Sequence, residues 1–180
     1  KSVHSTGGRP VRGEAVLNED VQTTDAPDSQ IATYQFDDFT AIWEHRQFGG
    51  AGPEKSTVGC NFYGSKGTFH MGWRDGWTFY PDDSRKPVVH EDHQLQEPDG
   101  HNLKLLWADF LQSIESGRRP TADIEIGHQA TTLSLLGMLS LKLGRSVRWD
   151  GDAQRIIGDD EANGLLKRKY RAPWTYPEIG

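Results

Sequence analysis

The sequence predicts an α/β (α+β) domain built on one large, mainly antiparallel, open sheet with helices packed on one face. Strand-like segments follow one another between residues 30 and 80, and short polar turns separate them. Neighbours joined by short turns pair antiparallel, because parallel neighbours need long crossover connections. Two stretches with the 3.6-residue periodicity of helices follow after residue 101, and they supply the helical layer.

The length and composition are those of one domain spanning residues 1–180. A chain of 180 residues can enclose a hydrophobic core, and 6 Trp, 7 Phe and 5 Tyr supplement a hydrophobic content of 34%. The net charge of −6 argues against a nucleic-acid partner, since phosphate-binding surfaces need clustered Lys and Arg. The one cysteine, Cys60, excludes an internal disulfide, and its place in a strand-like segment predicts a core position. No apolar run approaches the roughly 20 residues that span a bilayer, so no membrane partner is expected.

The first residues are predicted to form a strand, and a long polar loop follows. Residues 1–6 alternate as a strand does, before a pair of glycines. Residues 9–29 are polar and rich in Pro, Gly, Asn and Asp, a composition typical of loops. Because the strand starts at once and without an initiator Met, we expect the chain to be a fragment of a longer protein.

A long strand at residues 39–48 organises the predicted sheet. Side chains alternate between the two faces of a strand. One face therefore carries Phe39, Ala41, Trp43, His45 and Gln47, and the other carries Thr40, Ile42, Glu44, Arg46 and Phe48. Both faces combine apolar and polar side chains. This mixture favours helices on one side of the sheet and a ligand, partner or second subunit on the other. The further strands are predicted at 30–36, 57–64, 67–73 and 76–80, with a short edge strand near residues 88 and 89.

Two long helices follow the strands. The first is predicted at about 102–116, where apolar residues recur on one stripe, so that the helix would lie flat on the sheet. The second runs from Asp123 or Ile124 to Leu143, with Asp123 as its N-cap, and its many Leu and Met residues make it the most buried helix. A short strand at 146–149, a short helix at 159–166 and an extended tail at 171–180 complete the chain, with Trp174 and Tyr176 holding the tail in place.

Two motifs that suggest cofactors do not have the required pattern. Residues 49–56, GGAGPEKS, resemble a phosphate-binding loop, but Glu54 stands where that loop needs Gly before Lys, and a strand follows instead of a helix. No Gly-x-Gly-x-x-Gly sequence opens a βαβ unit, so no dinucleotide site is predicted. Residues 90–93, HEDH, offer metal-binding side chains, but no third ligand has a recognisable spacing, and a solvated acidic loop is the expected outcome.

The strongest candidates for ligand contact are Trp43, His45 and Arg46, with Trp73 and Trp77 on neighbouring strands. Indole rings pack on the C–H faces of sugars, while Arg and His bind hydroxyl or carboxylate groups. The alternative is structural: the tryptophans would belong to the core, and His45 and Arg46 would pair with Glu44 or a nearby carboxylate. His101 stands at a helix start, where it can cap the helix or face a cleft. Asp123, Glu125 and His128 near the start of the second helix are interpreted as structural.

Five segments together resemble a known family: WEHR (43–46), GCNFYGSKG (59–67), RPTADIEIGH (119–128), GDDEAN (158–163) and YRAPW (170–174). The succession resembles the C-terminal domain of the Gfo/Idh/MocA family of NAD(P)-dependent oxidoreductases, in the bacterial-type branch common in planctomycetes. The resemblance covers nearly the whole chain. It implies a large, mostly antiparallel sheet with helices on one face, and a second face that serves an active-site cleft or contacts between subunits.

The resemblance also implies what this chain lacks. In such proteins a preceding Rossmann domain binds NAD or NADP and carries the catalytic lysine, and the acid/base histidine and aspartate lie just before the strand that residues 1–6 match. We therefore expect no catalytic residue, no cofactor-binding residue and no metal ligand in this chain, and an isolated chain without activity.

The resulting hypothesis is a substrate-binding and oligomerisation domain of an NAD(P)-dependent oxidoreductase that acts on a sugar, polyol or related hydroxyl compound. Trp43, His45, Arg46 and His101 would bind the carbohydrate-like substrate, and the open sheet face would form a homo-oligomer. The alternatives are a non-catalytic module that dimerises through its sheet, and part of an NAD-dependent glycosidase. The protein would be soluble, in the cytoplasm or exported to the periplasm.

Overall fold

The computed structural model describes residues 1–16, 18, 20, 23–50, 58–94 and 98–176. Its elements, in chain order, are β1 (Ser2–Gly8), β2 (Ser29–Gln35), β3 (Thr40–Arg46), β4 (Gly59–Gly64), β5 (Gly67–Gly72), β6 (Trp77–Pro81), β7 (Val89–Glu91), α1 (Pro98–Ser116), α2 (Ile124–Leu143), β8 (Val147–Asp150), β9 (Arg155–Ile156) and α3 (Asp160–Gly164). The chain divides into two compact units, one formed by Lys1–Phe48 with Gly127–Gly180 and the other by Gly49–Ile126.

The first unit contains a five-stranded sheet in the order β3-β2-β1-β8-β9. Every neighbouring pair that has been described is antiparallel. The inner face of this sheet packs against α2, and the buried core is formed by Val3, Ala32, Tyr34, Leu136, Leu139, Val147, Ile156 and Ala162. Gly137 lets the helix approach closely, because a Cβ there would lie 2.6 Å from the Tyr34 hydroxyl oxygen and 3.4 Å from the Ala32 Cβ.

Polar side chains inside the first unit also join α2 to the sheet. The Ser5 backbone N–H donates to the Ser140 Oγ at 3.0 Å, and the Gln30 amide nitrogen donates to the Ser5 Oγ at 2.8 Å. The Ser140 hydroxyl in turn donates to the Arg145 carbonyl oxygen at 2.8 Å. Since all three side chains are buried, these hydrogen bonds satisfy groups that would otherwise lose water without replacement.

The second unit contains a four-stranded antiparallel sheet in the order β4-β5-β6-β7. The register places two kinds of side chain on opposite faces. The apolar face carries Cys60, Phe62, Phe69, Met71, Trp77, Phe79 and Val89, with Glu91 opposite Trp77 on the edge strand β7, and the polar face carries Asn61, Tyr63, Thr68, His70, Thr78, Tyr80 and His90. Phe69 stacks on Trp77 with ring centroids 5.5 Å apart.

The predicted class, a mixed α/β fold with antiparallel pairing, is confirmed. The strands, however, divide between two sheets where the sequence analysis expected one. The reason lies after β3, where Gly49 and Gly50 adopt φ values of 90° and 61°. Left-handed backbone of this kind is open mainly to glycine, and here it turns the chain out of strand conformation after β3. The first sheet therefore ends at β3, which pairs only with β2 among the described strands.

The two long helices differ in how closely they match the prediction. For α2, the predicted limits and N-cap are correct: the Asp123 Oδ1 accepts the Glu125 N–H at 2.8 Å. The Arg119 guanidinium hydrogen-bonds the same carboxylate and lowers the pKa of Asp123. For α1, the expected packing flat on a sheet is wrong, because the apolar stripe is exposed. Its side chains Leu103, Leu106, Trp107, Phe110, Leu111 and Ile114 are between 45% and 64% exposed.

Cys60 is exposed on β4, so the predicted core position is wrong. The alternation of the strand places Cys60 on the apolar face, as expected, but no described element buries that end of the strand. In the tail, Tyr176 accepts a hydrogen bond from the Arg168 N–H at 3.2 Å and contacts Tyr170 edge to face, whereas Trp174 is 66% exposed. The tail is thus held by Tyr176. No helix within the described part of the chain has the length and apolar character needed to cross a bilayer.

Candidate functional site

The alternation predicted for β3 places Trp43 and His45 on the inner face of the first sheet. Trp43 lies opposite the buried Ala32, and His45 lies opposite the buried Gln30. Because β3 is an edge strand, Trp43 is not covered by α2 and remains 60% exposed, while His45 is half-buried. The two side chains thus offer an exposed indole beside an imidazole at the edge of the inner face.

Arg46 points away from this pair, to the opposite face of the same strand. Its Nε lies 3.2 Å from the Glu44 Oε1. Pairing of Arg46 with Glu44 is the structural role that the sequence offers as the alternative to ligand binding. Both side chains are about half exposed, so the pair contributes little to stability.

The remaining candidates from the sequence lie in the second unit. His101 is exposed on α1. Trp73 is also exposed, and the Arg74 Cζ lies 5.5 Å from the centroid of the Trp73 ring. Trp77 is half-buried on the apolar face of the second sheet, where it stacks on Phe69. Trp43 and His45 share one surface of the first unit, and Trp73, Trp77 and His101 belong to the second unit.

A pocket that the sequence analysis did not predict lies in the first unit, beside the first half of α2. Its cavity volume is about 360 Å³. The walls come from the start of β1, the end of β2, helix α2 and the segment around β8. Its lining includes Tyr34, His128, Leu133, Leu136, Trp149 and Gln154. We call this cavity the α2 pocket.

The apolar part of the α2 pocket is rigidly held. The Tyr34 hydroxyl donates to the Leu133 carbonyl oxygen at 3.0 Å, which fixes the ring against the helix. Burial raises the pKa of Tyr34, so its hydroxyl stays a neutral donor. Leu136 is 2% exposed and forms part of the core. The floor of the pocket is therefore preformed rather than assembled by a ligand.

The polar part of the α2 pocket is a pair of side chains, His128 and Gln154. The His128 Nε2 lies 2.9 Å from the Gln154 Oε1, and the Gln154 amide nitrogen donates to the Gly151 carbonyl oxygen. Because an amide oxygen only accepts, the imidazole donates from Nε2, and its neutral form keeps Nδ1 as an acceptor. The sequence alone indicates a structural role for His128, because no local pattern shows that Gln154 lies beside it in the fold.

Metal and phosphate sites receive no support from the geometry. Across residues 1–16, 18, 20, 23–50, 58–94 and 98–176 no three His, Cys, Asp or Glu side chains are grouped so as to hold a metal ion. In the HEDH segment, the His90 Nε2 lies 3.1 Å from the Asp92 Oδ1. Most of the glycine-rich loop, residues 51–57, lies outside the described residues.

One comparison with known proteins decides the family. The model of the Gfo/Idh/MocA oxidoreductase family, C-terminal alpha/beta domain, matches residues 77–176, more than half of the chain. The chain belongs to this family. The match begins at β6 and includes both long helices and α3, and therefore His101, His128, Trp149 and Gln154. No curated protein and no solved structure matches the chain significantly.

Proposed function

We propose that this oxidoreductase-family domain binds the substrate of an NAD(P)-dependent enzyme, and that the substrate is a sugar, polyol or related hydroxyl compound. The observation that carries the proposal is the α2 pocket. Its Trp149 and leucine side chains suit the C–H surface of such a molecule, and His128 and Gln154 suit its hydroxyl groups. A nicotinamide bound elsewhere in such an enzyme would supply the hydride chemistry, and the residues of this chain would bind and orient the hydroxyl compound.

The cofactor has no fitting site among the described residues. Their strand pairings are all antiparallel, whereas a nicotinamide dinucleotide binds at a parallel βαβ unit. We assign no step involving the cofactor to this chain. Its contribution is to bind and orient the hydroxyl compound, which lowers the entropic part of the barrier.

The exposed part of the inner face at β3, formed by Trp43 and His45 and called the β3 surface, is a second candidate contact. Trp43 and His45 share one face, and together they offer a second contact for a hydroxyl compound. Arg46 is on the other face and is bound to Glu44, so its proposed role moves to contacts between subunits. His101 stays a prediction from the sequence.

The test measures binding of myo-inositol, glucose and sorbitol to the chain by titration calorimetry. We expect millimolar or tighter binding of at least one compound, and a loss of roughly tenfold in His128→Ala, because a substrate hydroxyl would lose its hydrogen-bond partner. His93→Ala, an exposed histidine outside the pocket, is the matched control. Trp43→Ala shows whether the β3 surface takes part.

Equal affinity in His128→Ala and His93→Ala would place the substrate elsewhere. The circular dichroism spectrum and melting temperature of each variant show that its fold is intact, so that a loss of affinity reports the site. Absence of binding of all three compounds to the unchanged chain would refute the hydroxyl-compound assignment.

A second candidate function is a module that dimerises through the outer face of the first sheet. The register puts Ile31, Ile42, Glu44 and Arg46 on this face, which we call the open face. Ile42 is 70% exposed and Ile31 is 46% exposed. Apolar side chains flanked by an ion pair are typical of surfaces that meet a second copy.

A further inference from the structure

The polar face of the second sheet carries a continuous row of hydrogen-bonding side chains. Asn61, His70, Thr78 and His90 lie directly opposite one another on β4, β5, β6 and β7. The His70 Nδ1 lies 2.9 Å from the Asn61 Oδ1, and the His90 Nδ1 lies 2.8 Å from the Thr78 Oγ1. Each imidazole is therefore oriented by a neighbour in the row before any ligand arrives.

An aspartate lies beside each of the two histidines of this row. The Asp75 Oδ2 lies 3.8 Å from the His70 Nε2, and the Asp92 Oδ1 lies 3.1 Å from the His90 Nε2. Gly72 leaves room for the Asp75 carboxylate, which a Cβ at this position would displace. Both aspartate side chains are more than half exposed, so each carboxylate has room to accept further hydrogen bonds.

Two exposed tyrosines stand on the same face, in the next row of the register. Tyr63 is 81% exposed and Tyr80 is 50% exposed, and Thr68 lies between them. They are two strands apart, which corresponds to about 10 Å between their backbones. Among the described strand residues, this face has no lysine, arginine or glutamate. A tyrosine combines an apolar ring with a hydroxyl group, which suits contact with a ligand that is itself partly apolar and partly polar.

We propose that the polar face of the second sheet binds a neutral oligosaccharide. Tyrosine rings pack on the C–H faces of sugar rings, and the row of amide, hydroxyl, imidazole and carboxylate groups matches sugar hydroxyls, which both donate and accept. The distance between Tyr63 and Tyr80 exceeds one sugar ring, so the occupant has several units. Asp75 and Asp92 disfavour acidic glycans, since like charges repel.

The polar face of the second sheet lies in the unit Gly49–Ile126, and the α2 pocket lies in the other unit. The inference goes beyond the proposed function and does not rest on it.

The test uses calorimetry with cellohexaose, xylohexaose, mannohexaose and maltohexaose, and with glucose as the monomer. We expect at least one hexasaccharide to bind the chain roughly tenfold or more tightly than glucose. Tyr63→Ala should weaken that binding by about tenfold, because the ring contact is lost. Tyr63→Phe keeps the ring and should change the affinity by no more than about threefold.

Phe62→Ala is the matched control, because Phe62 is the adjacent aromatic residue on the same strand, similarly accessible at 57%, and on the opposite face. It should leave hexasaccharide affinity unchanged. Equal losses in Tyr63→Ala and Phe62→Ala would overturn the proposal, as would no binding of any hexasaccharide. A chain dimer that dissociates in Tyr63→Ala would also overturn it and assign the face to a second copy.

Discussion

Asn163 illustrates how much of the first unit depends on a single side chain. Its Oδ1 accepts the Ile156 N–H at 2.8 Å, and its Nδ2 donates to the carbonyl oxygens of Ile156 and Asp159, each at 2.8 Å. Ile156 is 1% exposed, so its backbone has little access to water. One amide thus joins α3 to the short strand β9, and Asp159 caps the same helix by accepting the Ala162 N–H at 3.0 Å.

Replacing this side chain tests that interpretation. Asn163→Ala should lower the free energy of unfolding by about 2 to 4 kcal/mol, because two buried backbone groups of Ile156 lose their partners. Chemical denaturation monitored by circular dichroism measures the change. Asn102→Ala, on the exposed surface of α1, is the control and should alter stability by no more than about 0.5 kcal/mol. A similar effect of both substitutions would mean that water replaces the Asn163 contacts.

At the scale of the elements, α2 determines how the first unit is packed. Its buried residues, Leu136, Gly137, Leu139 and Ser140, all lie in its second half, where the helix crosses β1 and β2. The first half carries residues that line the α2 pocket, among them His128 and Leu133. One helix thus contributes to both the core and the candidate site, and Leu136 belongs to both.

Two glycines of α2 give a matched pair for testing this packing. Gly137→Ala should destabilise the protein by about 1 to 3 kcal/mol, because the added Cβ would lie 2.6 Å from the Tyr34 hydroxyl oxygen. Gly127→Ala meets no atom within 4 Å and should stabilise the helix by about 0.5 to 1 kcal/mol. Thermal and denaturant unfolding of both variants check the signs. If the two shifts had the same sign, close approach of α2 to the sheet would not be the reason for Gly137.

At the scale of the whole molecule, three exposed surfaces stand out. The open face of the first sheet exposes Ile31 and Ile42, the second sheet exposes its polar face, and α1 exposes its apolar stripe. Apolar exposure of this extent on the first and third surfaces is more typical of an assembly than of an isolated domain.

Light scattering tests the proposed dimer through the open face. We expect the unchanged chain to be a dimer at micromolar concentration and Arg46→Glu to shift it towards monomer, because two adjacent negative side chains would replace the Arg46–Glu44 pair. Arg85→Glu makes the same charge change at an exposed position of the second unit and should leave the dimer intact. A monomeric chain, or the same response to both substitutions, would remove the open face as an interface.

The sequence by itself determined the features that repeat along the chain. The limits of α2 and the alternation of β3 follow from its pattern of apolar residues, since backbone geometry fixes a period of 3.6 in helices and 2 in strands. The fold class and the family could be predicted for the same reason, because short turns imply antiparallel strands and local segments carry the resemblance. The exposure of Cys60 could not be predicted in this way, since alternation gives the face of a residue but not what covers that face.

Only the tertiary structure decided which distant residues meet. His128 reaches Gln154 across 26 positions, and His70 reaches Asn61 only through the register of β4 and β5. The division of the strands between two sheets likewise depends on which strands pair, and not on the local pattern of each strand. Local periodicity does not encode these contacts, because they form when the burial of remote segments brings their side chains together.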